Sequence, residues 1–124
     1  MKLIIGGYAQ GKLRYVLQTY ETEDMQVLDG EIPENPEEKA VVNHLHTWIK
    51  KRMLAGGNPE AELFKMLERC PQCILISDEI GSGIVPLEAW EREYREQTGR
   101  ILTSLAQKAD SVERVFCGLA QKLK

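Results

Sequence analysis

Short apolar runs alternate along the chain with longer stretches whose apolar residues recur at helical spacing. The clearest apolar run is CILISDEIG, which predicts a buried strand because its charges come only at its carboxyl end. Shorter strands are predicted at KLIIGG and MQVLDG, and a final strand with a tail at SVERVFCGLAQKLK. The glycines that close KLIIGG are typical of a strand that runs into a tight turn.

Four stretches have helical character. GKLRYVLQTYE places Leu13, Val16, Leu17 and Tyr20 on one face. AVVNHLHTWIKKRMLAGG predicts a brief strand followed by a helix that stops at Gly56 and Gly57. In NPEAELFKMLERC, Asn58 is placed to cap a helix that has proline in its first position. PLEAWEREYREQTGRILTSLAQKA predicts a long helix.

Strands that alternate with helices predict an α/β fold with a mostly parallel sheet in three layers. Residues 1–124 are expected to form a single domain, and the acidic, proline-bearing segment 31–39 a surface loop. Ligands of such sheets lie outside the carboxyl ends of the strands. The glycine loop after the first strand and the SDEIGSG segment after the later one are therefore expected at the same edge.

Composition narrows the class of protein. The chain has 124 residues, of which 43% are hydrophobic and 28% charged, with a net charge of −3. This balance disfavours a nucleic-acid or anionic-membrane surface. No apolar run is long enough to span a membrane, and three cysteines do not suggest a disulfide framework. We therefore expect a cytoplasmic location.

The segment GGYAQGKL has the spacing of a phosphate-binding loop, Gly6-x-x-x-x-Gly11-Lys12. Glycines let backbone amides converge on an anion, and the following helix presents its positive end. Leu13 stands where such loops offer a hydroxyl to magnesium. The alternative interpretation is a plain glycine turn between a strand and a helix. On the first interpretation the nucleotide-binding residues are Gly6, Gly7, Tyr8, Ala9, Gln10, Gly11, Lys12 and Leu13.

Charged residues elsewhere are candidates for the same site. Asp78 or Glu79 could hold magnesium through water or orient a nucleophile, or could merely cap the next turn. Arg95 and Arg100 could contact phosphates or substrate, whereas Arg92 could form an exposed helix pair with Glu96. The stripe of Trp90, Tyr94 and Ile101 is predicted to be core.

Two further patterns have ordinary structural interpretations. His44 and His46 would share a face on a strand and could ligate a metal, but without further ligands we interpret them as ordinary polar residues at a strand-to-helix junction. Cys70-Pro-Gln-Cys73 has redox spacing, yet it ends a helix rather than beginning one. We therefore interpret the cysteines as packing residues.

The second half of the chain contains the runs EIGSGIVP and REYREQTGR. Through these runs it resembles the adenosylcobinamide kinase/adenosylcobinamide-phosphate guanylyltransferase family. The run N-E-V-G-x-G-I-V-P of that family is matched by Glu79, Gly81, Gly83, Ile84, Val85 and Pro86. Its next run, R-x-F-R-D-x-x-G-R, is matched by Arg92, Arg95, Gly99 and Arg100, with Tyr94 and Glu96 as conservative replacements. Ala109, Asp110, Val112 and Gly118 follow in register, and Trp48 and the amino-terminal glycine loop fit as well.

The resemblance implies a shortened, RecA-like P-loop NTPase fold and a homo-oligomer in cobalamin biosynthesis. It implies ATP or GTP in the loop, with Lys12 and Glu79 as catalytic residues. It also implies phosphoryl transfer to adenosylcobinamide, followed by transfer of GMP through a guanylylated histidine.

This chain departs from the family pattern at residues that carry chemistry. Leu13 replaces the magnesium-binding hydroxyl, Asn43 replaces an acidic residue, and Leu102 and Thr103 stand where Asn-Gln is expected. The family's histidine-bearing middle segment is missing, since no histidine lies between Tyr20 and Ala40. The departures predict weakened magnesium binding and impaired guanylyl transfer, unless His44 or His46 substitutes. A catalytically impaired nucleotide-binding or assembly protein is the alternative.

Overall fold

The computed structural model describes residues 1–35, 39–80 and 88–124 of the chain. In these ranges a six-stranded sheet has the order β2-β3-β4-β1-β5-β6. Every predicted helix and strand is present. The strands are β1 (Lys2–Gly6), β2 (Gln26–Asp29), β3 (Ala40–Asn43), β4 (Ile74–Asp78), β5 (Ser111–Phe116) and β6 (Leu119–Lys122). The helices are α1 (Lys12–Thr19), α2 (Leu45–Leu54), α3 (Pro59–Arg69) and α4 (Ala89–Lys108).

Strand β1 lies at the centre of the sheet between β4 and β5, and it is parallel to both. Leu3 is opposite Leu75 in β4, and Gly6 is opposite Asp78. The carboxyl ends of β1 and β4 therefore meet at one edge. Because of this register, the glycine loop and the first carboxylate after the apolar run of β4 are neighbours.

Apolar side chains cover both faces of the sheet. Leu3 and Leu75 pack with residues of α2, α3 and α4, such as Trp48, in one buried cluster. Ile4 packs with Val16 of α1 in a second cluster. Successive strand residues point to opposite faces, so neighbours in β1 serve different clusters. The three-layer, mostly parallel α/β prediction is confirmed, and the architecture is consistent with a P-loop NTPase-like domain.

The end of the chain differs from the sequence prediction of a strand and a tail. The tail forms β6, which pairs antiparallel with β5 and brings Leu119 opposite Phe116. Cys117 and Gly118 form the connection, with φ values of 50° and 75°. Two residues of positive φ are typical of a type I′ hairpin turn. The strand escaped prediction because all four of its residues are exposed, which leaves no alternation of buried and exposed positions.

Local signals in the middle of the chain are confirmed. The Asn58 side chain accepts a hydrogen bond from the Ala61 N–H at 3.1 Å and caps α3. Cys70 follows the end of α3 and Cys73 precedes β4; both are buried, with their Sγ atoms 2.7 Å apart. Burial raises the pKa of the Cys73 thiol to about 12, which suits a packing role.

Two predicted segments are only partly described. Residues 31–35 of the acidic stretch carry no helix or strand, and residues 36–38 lie outside the description. Gly81, Gly83, Ile84, Val85 and Pro86 of the family-like run also lie outside the described residues. Within the described ranges, every helix is too short or too polar to cross a bilayer.

Candidate functional site

The glycine loop connects the carboxyl end of β1 to the first residue of α1. Gly11 precedes the helix with φ of 83°, a left-handed conformation that favours glycine. A Cβ on Gly6 would lie 2.5 Å from the Val115 carbonyl oxygen, so that position admits no side chain. Helix α1 has no side-chain cap and no acidic residue in its first turn. The first N–H groups of α1 are therefore not capped by a side chain, as at helix N-termini that bind anions.

The Lys12 side chain folds back into the loop. Its side chain is only 6% exposed, and its Cδ would lie 3.3 Å from a Cβ on Gly6. The ammonium donates to the Gly7 carbonyl oxygen at 2.6 Å and lies 2.7 Å from Asp78 Oδ1. The lysine that the loop motif singles out is thus held between the loop backbone and the end of β4.

His46 lies on the other side of the Asp78 carboxylate. Its Nδ1 accepts the Asp78 backbone N–H at 3.1 Å, and its Nε2 lies 3.4 Å from Asp78 Oδ2. Burial lowers the pKa of His46, and this effect exceeds the opposing attraction of Asp78. An Nδ1 that accepts a hydrogen bond belongs to a neutral ring whose proton is on Nε2, facing the carboxylate.

Tyr94 of α4 packs beside the cluster of Lys12, Asp78 and His46 and contacts it through His46. Its hydroxyl donates to the His46 carbonyl oxygen at 3.0 Å. Burial, and then the charge of Asp78, raises the pKa of Tyr94 to about 12, so the hydroxyl keeps its proton. The Lys50 ammonium lies 5.8 Å from the Tyr94 ring centroid. Of the stripe predicted to be core, Ile101 is buried as expected, whereas Tyr94 also contacts the site.

Glu79 lies beside the loop, but its carboxylate points toward β5. Its backbone N–H donates to the Gly6 carbonyl oxygen at 2.8 Å. Its Oε2 accepts from Arg114 Nη2 at 3.0 Å. Of the two adjacent carboxylates, the structure brings Asp78 to Lys12 and pairs Glu79 with Arg114.

The arginines singled out on α4 lie on both sides of Tyr94 in the sequence. Arg100 pairs with Glu96 at 3.3 Å, and both side chains are exposed. The sequence offered a pair of Arg92 with Glu96, and the structure pairs Glu96 with Arg100. Arg95 is partly buried and directly follows Tyr94.

The two histidines do not lie on a strand. His44 precedes α2 in a left-handed conformation with φ of 54°, and His46 is in the first turn of the helix. Their rings are perpendicular, with centroids 5.6 Å apart. His44 Nδ1 contacts the Asp29 carboxylate, to which Asn43 Nδ2 also donates at 3.3 Å. The strand-to-helix junction is confirmed, and the idea of two histidines sharing one strand face is wrong.

Metal-binding groups are sparse around the loop. In the parts of the chain that the structure describes, no group of three or more histidine, cysteine or acidic residues could hold a metal ion. Leu13 packs against the apolar cluster beneath α1 and offers no oxygen. Asn43 directs its amide toward Asp29. Among the described carboxylates, Asp78 is therefore the one beside Lys12 that could also bind a cation.

The β5–β6 turn is attached to the glycine loop, a contact that sequence reasoning missed. The Gln10 carbonyl oxygen accepts from the Gly118 N–H at 2.9 Å, and Gln10 Oε1 accepts from the Cys117 N–H at 2.8 Å. A cavity of about 380 Å³ lies beside this contact. Its lining includes Arg14, Tyr15 and Gln18 of α1 together with the turn. The loop is thus bounded by β4 on one side and by the hairpin on the other.

Comparison with known proteins places these features in a family. A family model described as cobinamide kinase/cobinamide phosphate guanyltransferase matches residues 14–123. The match begins directly after the glycine loop, so the interpretation of residues 6–13 rests on their own spacing and geometry. Because this match covers most of the chain, it is sufficient to assign the chain to a family.

Three curated relatives agree. The chain is 34% identical to the bifunctional adenosylcobalamin biosynthesis protein CobU of Escherichia coli strain K12 over 79 residues, 62% of this chain and 44% of that protein. It is 38% identical to CobU of Salmonella typhimurium over 63 residues, 50% of this chain and 35% of that protein. It is 30% identical to CobP of Pseudomonas aeruginosa over 90 residues, 68% of this chain and 52% of that protein.

The chain thus matches about half of the length of these relatives or less. The family run that begins at Glu79 and the arginine-bearing run of α4 both fall inside the matched segment. On these grounds the chain belongs to the cobinamide kinase/cobinamide phosphate guanyltransferase family.

Proposed function

We propose that this chain binds the phosphates of ATP or GTP at Gly6–Leu13. One observation carries the proposal: the Lys12 ammonium is buried inside the loop, between the Gly7 carbonyl oxygen and the Asp78 carboxylate. A cation at this position, next to uncapped N–H groups of α1, suits the charge of a triphosphate. Tyr8, Ala9 and Gln10 supply the backbone that surrounds the anion.

The reaction proposed is phosphoryl transfer to a hydroxyl of a cobinamide. The family description and the names of the relatives support it. Phosphoryl transfer depends on positioning and on neutralisation of charge, which Lys12 supplies. Glu79, Arg95 and Arg100 are proposed as further contacts for substrate or phosphate, and a homo-oligomer is the proposed assembly. Transfer of GMP is the less favoured reaction, because His44 faces Asp29 and His46 faces Asp78.

Magnesium would accompany the nucleotide. Mg²⁺ in nucleotide sites is held by one or two carboxylates together with phosphate oxygens and water. Asp78 fits the role of that carboxylate, and Leu13 removes the usual hydroxyl ligand. The ion would neutralise phosphate charge, and the protein's own contribution is Lys12 and the amides of α1.

Calorimetry with ATP and with GTP, each with and without Mg²⁺, tests the proposal. We expect binding in the wild type and a loss of at least tenfold in affinity in Lys12→Ala. Lys65→Ala, an exposed lysine on α3, is the matched control and is expected to bind normally. An unchanged affinity in Lys12→Ala would remove the loop from the account.

Product formation then distinguishes an enzyme from a binding protein. We expect adenosylcobinamide and Mg²⁺-ATP or Mg²⁺-GTP to give the phosphorylated product with the wild type only. Nucleotide binding without any product would support the catalytically impaired alternative.

A further inference from the structure

The Asp78 carboxylate is held from two sides. Lys12 Nζ lies 2.7 Å from Oδ1, and His46 Nε2 lies 3.4 Å from Oδ2. The carboxylate-bearing side chain is 15% exposed and that of His46 is 13% exposed. In the described part of the chain, these two side chains are the polar partners of the carboxylate. His46 also accepts the backbone N–H of the same residue, so the ring contacts Asp78 at two points.

Binding of a phosphate by Lys12 would change the charge pairing of the Asp78 carboxylate. If Lys12 turns its ammonium to a nucleotide phosphate, Asp78 loses the cation with which it pairs. A poorly solvated carboxylate is then left close to the negative charge of the phosphate, which is costly. Among the described side chains, the Nε2–H of His46 is then the donor that can hold the carboxylate back from the phosphate.

The His46 ring is itself fixed in place. Tyr94 donates to the His46 carbonyl oxygen from α4, while Lys12 faces the cluster from α1. His44 and Asp29 lie on the remaining side, at the ends of β3 and β2. With its backbone bonded to α4 and its ring bonded to β4, His46 is held between two elements of the fold.

We propose that His46 is a positioning residue for nucleotide binding: it holds the Asp78 carboxylate so that Lys12 can be released to the phosphates. The inference rests on the proposed function, since it presupposes a nucleotide in the loop. The contacts of His46 support this role, because the same ring touches both the backbone and the carboxylate of Asp78.

Substitutions at His46 separate the two contacts. His46→Leu loses both, and we expect about a tenfold loss of affinity for ATP or GTP, the size of one hydrogen bond to a charged group. His46→Gln can keep a donor at the Nε2 position and should stay within about twofold of the wild type. His46→Asn can keep only the acceptor for the backbone N–H, and should behave like His46→Leu.

The affinity is measured by calorimetry without Mg²⁺ at about pH 8, where the imidazole is neutral. His44→Asn, which tolerates the left-handed backbone at that position and does not alter a contact of Asp78, is the control and should bind normally. Thermal unfolding of each variant shows whether it is folded at the temperature of the titration.

The decisive comparison uses Asp78→Asn as a second background. Without the carboxylate charge there is nothing to restrain, so His46→Leu should cost no affinity in that background. An equal loss in both backgrounds would assign His46 a merely structural role and overturn the inference. Wild-type affinity in His46→Leu would also overturn it. Absence of nucleotide binding by the wild type would overturn the proposed function as well as this inference.

Discussion

The Cβ that any side chain would place on Gly6 lies 2.5 Å from the carbonyl oxygen of Val115, across the boundary between β1 and β5. Real Cβ atoms do not approach a backbone oxygen so closely, so one strand must move. The start of the loop is therefore held at its position by a close approach between two neighbouring strands. This contact accounts for the glycine more directly than the loop motif does.

Gly6→Ala is expected to destabilise the protein by about 1–3 kcal/mol, the usual cost of forcing an extra carbon into packed structure. It should also weaken nucleotide binding, because β1 ends in the loop. Thermal unfolding and calorimetry measure the two effects. Gly7→Ala is the matched control, since a Cβ there meets only Gln10 Cγ at 3.6 Å. Equal stability of the two variants would show that the close approach to Val115 is not limiting.

A buried carboxylate fastens α1 to the sheet. The hydroxyls of Tyr15 and Tyr20 both donate to the Glu113 carboxylate, which lies buried on β5. Burial, and next the hydrogen bond to Glu113, raises the pKa of Tyr15. We expect Tyr15→Phe to cost about 1–3 kcal/mol, because it removes a donor from a buried charge. Urea unfolding measures this cost.

The control for that variant is Tyr8→Phe, in the loop. Tyr8 is 85% exposed, so the loss of its hydroxyl should leave the free energy of unfolding within about 0.5 kcal/mol of the wild type. A comparable loss in both tyrosine variants would show that the cost of Tyr15→Phe does not come from its contact with Glu113.

The pKa of His46 predicts how stability depends on pH. Burial lowers this pKa from its ordinary value of 6.5, so the unfolded chain binds the proton more tightly than the folded protein does. The stability is therefore complete above about pH 6.5 and is lost progressively as the pH falls below that value. Urea unfolding between about pH 8 and about pH 5.5 should show the decline.

His46→Gln is the matched variant for the pH measurement, because glutamine does not titrate. Its free energy of unfolding should decline less than that of the wild type over the same range. If the two proteins lose stability in parallel on acidification, other groups cause the decline and the neutral state of His46 is irrelevant to it.

Asp78→Asn is expected to act in opposite directions on binding and on turnover. Removal of the carboxylate charge frees Lys12 and lowers the repulsion of phosphate, so Mg²⁺-free nucleotide affinity should rise several-fold. Turnover with Mg²⁺ should fall, since the chain loses the carboxylate that fits the cation. Calorimetry and product formation measure the two quantities. A fall in Mg²⁺-free affinity would contradict the view that Asp78 competes for Lys12.

Much of the fold was predictable from local signals. Two examples are the apolar run of β1 followed by glycines and the start of α3 at Asn58-Pro59. In both, a few neighbouring residues set the local conformation. Strand β6 was not predictable, because its residues are exposed and it exists only through pairing with β5. The contact of its turn with Gln10 was hidden for the same reason.

The candidate site likewise has some residues that the sequence identified and some contacts that it did not. Lys12 was identified from spacing alone; the structure buries its side chain in the loop, and its role in binding nucleotide stays a prediction. The family run pointed to Glu79 as the better carboxylate, whereas the pairing of β1 with β4 sets Asp78 opposite Gly6 and next to the lysine. The histidine pair drew attention as a metal motif, yet the helix that begins at Leu45 gives His44 and His46 different partners.

By itself, the sequence determined the order of strands and helices, the position of the glycine loop and the residues that link the chain to its family. Only the tertiary structure decided that Lys12, His46 and Asp78 meet, and that the β5–β6 turn contacts the loop. The physical reason is that hydrophobic periodicity and turn chemistry act within a few residues. Contacts between distant segments depend on the order of the strands within the sheet and on their register, which no single segment encodes.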